Sequence, residues 1–288
     1  MTSRRLIQHI QKQLTLLVLF LLFPLPLTGE SHLSDTYSAD FRSKQFDNET
    51  LVPLKAGTVR LILPTNKGVL MKKPAKANIP VIGFGTRFRI HGDFEISASY
   101  KIPSWTQPKK GYGQGPSIYI RLSDEPETSA LIGRLQRPKE GHVYSTSLSR
   151  TVDEKRKYDV KLYNTKFNSG VLRLTRNDKT ISFSIKEEQN NEFIKLREVE
   201  FSDANVDLIR IGLQQSDTET PVQVIWETLD VKAESLLDLP SKLAKGEKLH
   251  QPSYNPIQTK TSIPFYWSII SCVALLILVS VMIWFKRR

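Results

Sequence analysis

Hydrophobic and polar residues alternate with a period of two through most of the chain. The clearest run is DFEISASYKI, residues 93–102, in which Phe94, Ile96, Ala98, Tyr100 and Ile102 interleave with Glu95, Ser97, Ser99 and Lys101. Such alternation predicts a strand with one apolar face turned inward and one wet face turned outward. Comparable runs predict strands over 57–63, 81–90, 117–122, 130–137, 142–148, 158–164, 171–176, 181–186, 193–201, 206–214 and 222–231. They are rich in β-branched and aromatic residues. The separators carry turn residues, as in Lys139-Glu140-Gly141 and Arg176-Asn177-Asp178-Lys179. No amphipathic helix intervenes, so an all-β antiparallel sandwich or barrel is expected. Two longer interruptions read as loops. One is PSWTQPKKGYGQGP (103–116), with Trp105 and Tyr112 exposed on it; the other is the charged RTVDEKRK (150–157).

The two ends break the pattern. Residues 1–29 carry Arg4, Arg5 and Lys12 ahead of an apolar stretch from Leu14 to Leu27. That stretch is short for a membrane span and suits a secretory signal, with an uncleaved signal anchor as the alternative. Residues 263–285, IPFYWSIISCVALLILVSVMIWF, hold no charge. A helix of that length crosses the hydrocarbon core. Aromatic rings sit at both of its ends, and the basic tail 286–288 follows, which by the positive-inside rule stays cytoplasmic. Residues 235–262 carry Pro240, Pro252, Pro256 and several lysines and read as a polar stalk. The expected order is signal (1–29), sandwich domain (30–234), stalk, one transmembrane helix (263–285) and tail. The main domain then lies outside the cytoplasm.

Charge and cysteine narrow the function. The chain has 41 basic and 29 acidic residues. Six of the basic residues lie in the two end segments, which leaves the exported part a net +6. That excess is spread out, without a long Lys/Arg run, and is not a nucleic-acid footprint. The one cysteine, Cys272, lies in the apolar run. The exported domain therefore has no disulfide, no thiol nucleophile and no cysteine-based zinc site.

The order of elements resembles a concanavalin A-like lectin/glucanase (laminin-G-like) jelly roll. The segments that carry the resemblance are YSADFRS near Phe41, GDFEISASYKI, GPSIYIRL, ALIGRL, SGVLRLTRNDKTISFSI and VDLIRIGLQQSDTETPVQVIWETLDVKAE. More narrowly, the chain is similar to a planctomycete-type family of exported proteins of unknown function. The resemblance implies a two-sheet jelly roll over about residues 37–234 and carbohydrate or surface binding. It implies no catalytic residues.

Glucanases of this fold set carboxylates on one strand as Glu-x-Asp-x-(x)-Glu, so that alternation places them on one face. Asp93 and Glu95 share a face, but positions 97 and 99 are serines. Asp124, Glu125 and Glu127 sit in a turn, and Glu227 and Asp230 differ by three. His32, His91, His142 and His250 lack metal-ligand spacing. No cofactor or metal is implied, and a non-enzymatic role is expected. Sugars are held by aromatic faces and planar polar side chains. The candidates are Trp105 and Tyr112 on the long loop, Tyr119 and Arg121 on the polar face of SIYIRL, Arg134 and Gln136 on one face of ALIGRLQR, and Gln214. Trp226 is expected in the core. The leading expectation is a membrane-anchored module that binds a glycan or a surface ligand. A scaffolding subunit of an envelope complex and a divergent glycoside hydrolase are the alternatives.

Overall fold

The computed structural model describes residues 33–43, 46–79, 81–125, 128–244, 247 and 249–252. The signal, the apolar run 263–285, the tail and Cys272 lie outside them. Among the described residues no helix is long and apolar enough to cross a membrane.

Among the described residues fifteen strands form. They are β1 (Asp35–Asp40), β2 (Leu51–Pro53), β3 (Ile62–Thr65), β4 (Gly68–Lys73), β5 (Val81–Thr86), β6 (Arg89–Lys101), β7 (Gly115–Leu122), β8 (Ser129–Arg137), β9 (Gly141–Val152), β10 (Lys155–Asn164), β11 (Ser169–Asn177), β12 (Thr180–Glu187), β13 (Ile194–Glu200), β14 (Val206–Gln214) and β15 (Val222–Leu237). Every pairing is antiparallel. One hydrogen-bonded path runs β10-β9-β8-β7-β14-β5-β2. A second runs β13-β12-β11-β6-β15, with β1 and β4 side by side along the far edge of β15 and β3 outside β4. Strands β6 and β14 meet at one residue pair, Val206 and Ile90, which joins the two paths. Strands β11 and β15 also lie against β7 without bonding to it. The architecture is thus a β-sandwich of two antiparallel sheets.

Alternation decides what is buried. Phe94, Ile96, Ala98 and Tyr100 of β6 are at most 1% exposed, while Glu95, Ser97 and Ser99 reach solvent. Ile118 and Ile120 of β7, Ile209 and Ile211 of β14 and Trp226 of β15 complete the same core. Each large side chain so buried contributes about 1.5–3 kcal/mol.

The chain departs from expectation in several places. The run 81–90 is not one strand, since β5 ends at Thr86 and β6 begins at Arg89. Residues 57–63 are not one strand: Ala56–Leu61 form a 3-10 helix before β3. The N–H and the hydroxyl of Thr58 both donate to the Lys55 carbonyl and close that turn. The charged stretch 150–157 is not a long loop. Strands β9 and β10 run through it and meet at Asp153-Glu154, both at positive φ (54° and 59°), the geometry of a two-residue hairpin turn. Finally, β15 continues to Leu237, and the described residues of the polar stretch after it, up to Pro252, stay on the domain. Lys242 pairs with Asp35 at 2.5 Å, and His250 donates through Nε2 to the Asp207 carbonyl at 3.2 Å.

Candidate functional site

The outer face of the first sheet holds the most distinctive surface. Register across five strands aligns Gly83 with Gly212, Gly212 with Ser117, Ser117 with Gly133 and Gly133 with Ser145. These positions alternate with core residues such as Ile82, Ile211, Ile118 and Ile132, so all of them face away from the core. No side chain in this row exceeds a hydroxymethyl group. At about 4.8 Å between strands, the row forms a trough about 19 Å long, at right angles to the strands, and all five of its residues are buried.

Its walls are the neighbouring rows. On one side register sets Gly85, Arg210, Tyr119, Leu131 and Ser147 in line. The Arg210 guanidinium lies 4.5 Å over the Tyr119 ring. One residue pair further, Arg121 grips Asp207 with two bonds, at 2.8 and 3.1 Å. On the other side stand Val81, Gln214 and Gly115, then the paired Leu135 and Val143. The Ser117 hydroxyl and the Gln214 side-chain carbonyl are buried without a hydrogen-bond partner among the described residues. Buried polar atoms are rarely left so.

The glycines also have a local reason. A Cβ on Gly212 would stand 2.5 Å from the Ile82 carbonyl oxygen, and one on Gly83 would stand 2.4 Å from that of Ile211. Strands β5 and β14 are pressed too close for a side chain there. Gly133 is less tight, with its nearest neighbour, the Pro116 carbonyl oxygen, at 3.1 Å.

Of the seven residues singled out by sequence, Tyr119, Arg121 and Gln214 stand on this face. Tyr112 sits on the loop, half exposed, its hydroxyl donating to the Gln215 carbonyl. Trp105, Arg134 and Gln136 are elsewhere. Arg134 and Gln136 do share a face, but it is the inner one, since they alternate with outward Gly133 and Leu135. Arg134 is wholly buried. It donates to the carbonyls of Phe167 and Leu135 at 2.8 and 2.9 Å and to Nδ1 of His142 at 3.2 Å. Its guanidinium lies 4.7 Å over Trp105, whose indole N–H donates to Asn168. Burial lowers the pKa of Arg134, and burial together with Arg134 lowers that of His142. The Gln136 amide donates to Gln107. These groups close one end of the sandwich.

The loop 103–116 is tied down too. Asp217 accepts from the N–H of Lys109 and the hydroxyl of Thr220, each at 2.7 Å, and from the N–H of Glu219 at 3.0 Å. Burial pushes the Asp217 carboxyl up, but these donors outweigh it and hold the pKa at about 2.

Three of the carboxylates weighed as catalysts are engaged. Asp93 accepts from the N–H of Asp178 at 2.6 Å, and Glu95 pairs with Arg173 at 3.3 Å. Asp230 accepts from Ser38 at 2.6 Å. The register of β15 shifts between Trp226 and Thr228, so Glu227 is the extra residue of a bulge. Strict alternation therefore does not separate Glu227 from Asp230. What sequence reasoning missed is the trough itself and Arg210. The only local signals were small residues at outward positions, such as the alternating Ser145, Ser147 and Ser149.

The family described as protein of unknown function (DUF1583), C domain, matches residues 26–253. No curated protein matches the chain. Among solved structures, the CBM2 module of the evolved Dit of Lactobacillus casei BL23 phage J-1 is similar at 7% identity and a TM-score of 0.51, covering 68% of this chain and 94% of that one. The alginate lyase from Klebsiella pneumoniae is 8% identical with a TM-score of 0.48, covering 67% and 98%. LamAcat from Zobellia galactanivorans is 11% identical with a TM-score of 0.46, covering 68% and 96%. Likeness at these identities is one of fold alone.

Proposed function

The chain belongs to the DUF1583 C-domain family, and from that premise we propose that it is a non-catalytic binding module whose trough receives an extended glycan. The module is exported and held to the membrane by residues 263–285, in the planctomycete-type manner the sequence resembles, with the concanavalin A-like jelly roll as its frame. The observation that carries the reading is the Gly/Ser row between two walls. A flat polymer lies along this row of minimal side chains, where Tyr119 offers a ring face to sugar C–H surfaces and Gln214, only partly buried, stands on the facing wall. Arg210 backs the Tyr119 ring and fixes its orientation.

The test is binding of the purified full chain to a broad panel of polysaccharides, beside the double variant Tyr119→Ala/Gln214→Ala. Binding to a linear polysaccharide, at least about tenfold weaker in the variant, is the expected result; a lost stacking face alone is worth about 1–3 kcal/mol by analogy with base stacking. Silence across the panel with an intact fold sinks the glycan reading. Membrane anchoring is checked by resistance to alkaline carbonate extraction.

A further inference from the structure

We propose that the edge formed by residues 55–76 docks on anionic lipid head groups; this rests on the reading that residues 263–285 anchor the chain. Between Glu49 and Asp93 the chain has eight basic residues and no acid. The charge excess that looks spread out along the sequence is thus concentrated in one segment. Three of the eight are otherwise engaged. The Lys73 amine is buried against the carbonyls of Asp217 and Thr218, both at 2.9 Å; Arg87 donates to the His250 carbonyl; and Arg89 pairs with Asp238. The other five, Lys55, Arg60, Lys67, Lys72 and Lys76, are all exposed. None of them pairs with a carboxylate among the described residues.

Aliphatic side chains stand among these cations. Val59 is 52% exposed and Leu63 44%. Leu63 faces Leu70 across the β3–β4 pair, with exposed Lys72 two residues on. Residues 51–79 contain no aromatic ring. Unpaired cations with exposed aliphatics fit an anionic bilayer surface, where charges meet head groups and apolar tips enter the boundary. A sugar polymer would need ring faces, and this edge has none.

The exit of the chain supports the same partner. Leu54, Leu208 and Pro252 crowd around Gly85, so the last described residue lies beside Leu54, next to Lys55. Ten residues, 253–262, separate it from the apolar run. Fully extended they reach about 35 Å, which keeps this edge within reach of the bilayer.

The test places the full chain in vesicles of phosphatidylcholine, and in vesicles that also contain phosphatidylglycerol, and follows amide hydrogen exchange over 55–76. Exchange there should slow only with the anionic lipid. It should recover in high salt and in the variant Arg60→Gln/Lys67→Gln/Lys72→Gln, each neutralised cation weakening the contact about fivefold. Unchanged exchange over β6 reports that the variant is folded. Equal exchange over 55–76 in the two vesicles overturns the proposal. Carbonate extraction reads the anchor separately. A chain that is stripped, yet still sediments with anionic vesicles in a salt-dependent way, keeps the docking edge and loses the anchor. A chain that resists extraction but shows no lipid-dependent exchange keeps the anchor and loses the docking edge.

Discussion

Arg134 lies with its guanidinium 4.7 Å over the ring of Trp105, at the closed end of the sandwich and away from the trough. The arginine is fully buried and donates to two backbone carbonyls. Arg134→Ala therefore leaves a cavity and unpaired carbonyls and should cost about 3 kcal/mol. Arg134→Met fills the space without burying a charge and should cost less than about 1.5 kcal/mol. Urea midpoints of the two variants check the ordering. Neither substitution should alter glycan affinity in the folded protein; a binding loss without a stability loss would place the site here instead.

Gly212 and Gly133 belong to the same row but differ in tightness. A Cβ on Gly212 meets backbone at 2.5 Å, and one on Gly133 meets it at 3.1 Å. Gly212→Ala must part β5 from β14 and should destabilise by about 3 kcal/mol. Gly133→Ala needs a shift of only tenths of an ångström and should stay near or below about 1 kcal/mol. Denaturant melts of the pair would show the contrast, and equal costs would contradict the strand spacing. In the folded Gly133→Ala variant the added methyl stands on the trough floor, so binding should weaken while stability holds.

Most of the strands were legible in the sequence because one face of each is buried, and alternation records that directly. Strand β4 was not, since Lys72 and Lys73 end its short run; Lys73 is nonetheless buried, its amine satisfied by carbonyls from a distant turn. The β9–β10 hairpin was hidden because its overhanging tip is wet on both faces, so no alternation marks it. The trough was illegible for a different reason. Gly83, Ser117, Gly133, Ser145 and Gly212 are ordinary small residues until register brings them into line. Arg134 misled because an arginine in a strand reads as outward-facing, and nothing local reveals that Trp105 and three acceptors await it inside.

Asp217 makes the loop 103–116 sensitive to acid. Its folded pKa, about 2, lies below the usual carboxylate value of 3.8. The group's stabilising contribution is therefore present in full above about pH 4 and is lost as pH falls through about 2. Asp217→Asn loses the charge in those bonds and should cost about 1–3 kcal/mol at neutral pH. It should also flatten the stability profile between pH 4 and pH 2. Acid titrations of both proteins, followed by Trp fluorescence, test the sign; a variant that still loses stability as steeply over that window would assign the acid sensitivity to another carboxylate.

Among the described residues, strand β10 is an edge, bonded to β9 alone. Tyr158 and Val160 on it are 64% and 43% exposed, so the strand has the features that invite pairing with another chain. Two devices oppose this. Lys155, Lys157 and Lys161 are exposed along it, and two such edges would repel each other. Arg197 of β13 also reaches across to donate to both the carbonyl and the carboxylate of Asp159. A bonded carbonyl in mid-strand is not open to an incoming chain. Arg197→Ala alone should leave the protein monomeric through this edge, because the lysines remain. Combined with Lys157→Thr and Lys161→Thr, it should produce concentration-dependent association, visible by sedimentation velocity. If the triple variant instead sediments like the parent at every concentration, the overhang of the hairpin itself, and not its charges, protects the edge.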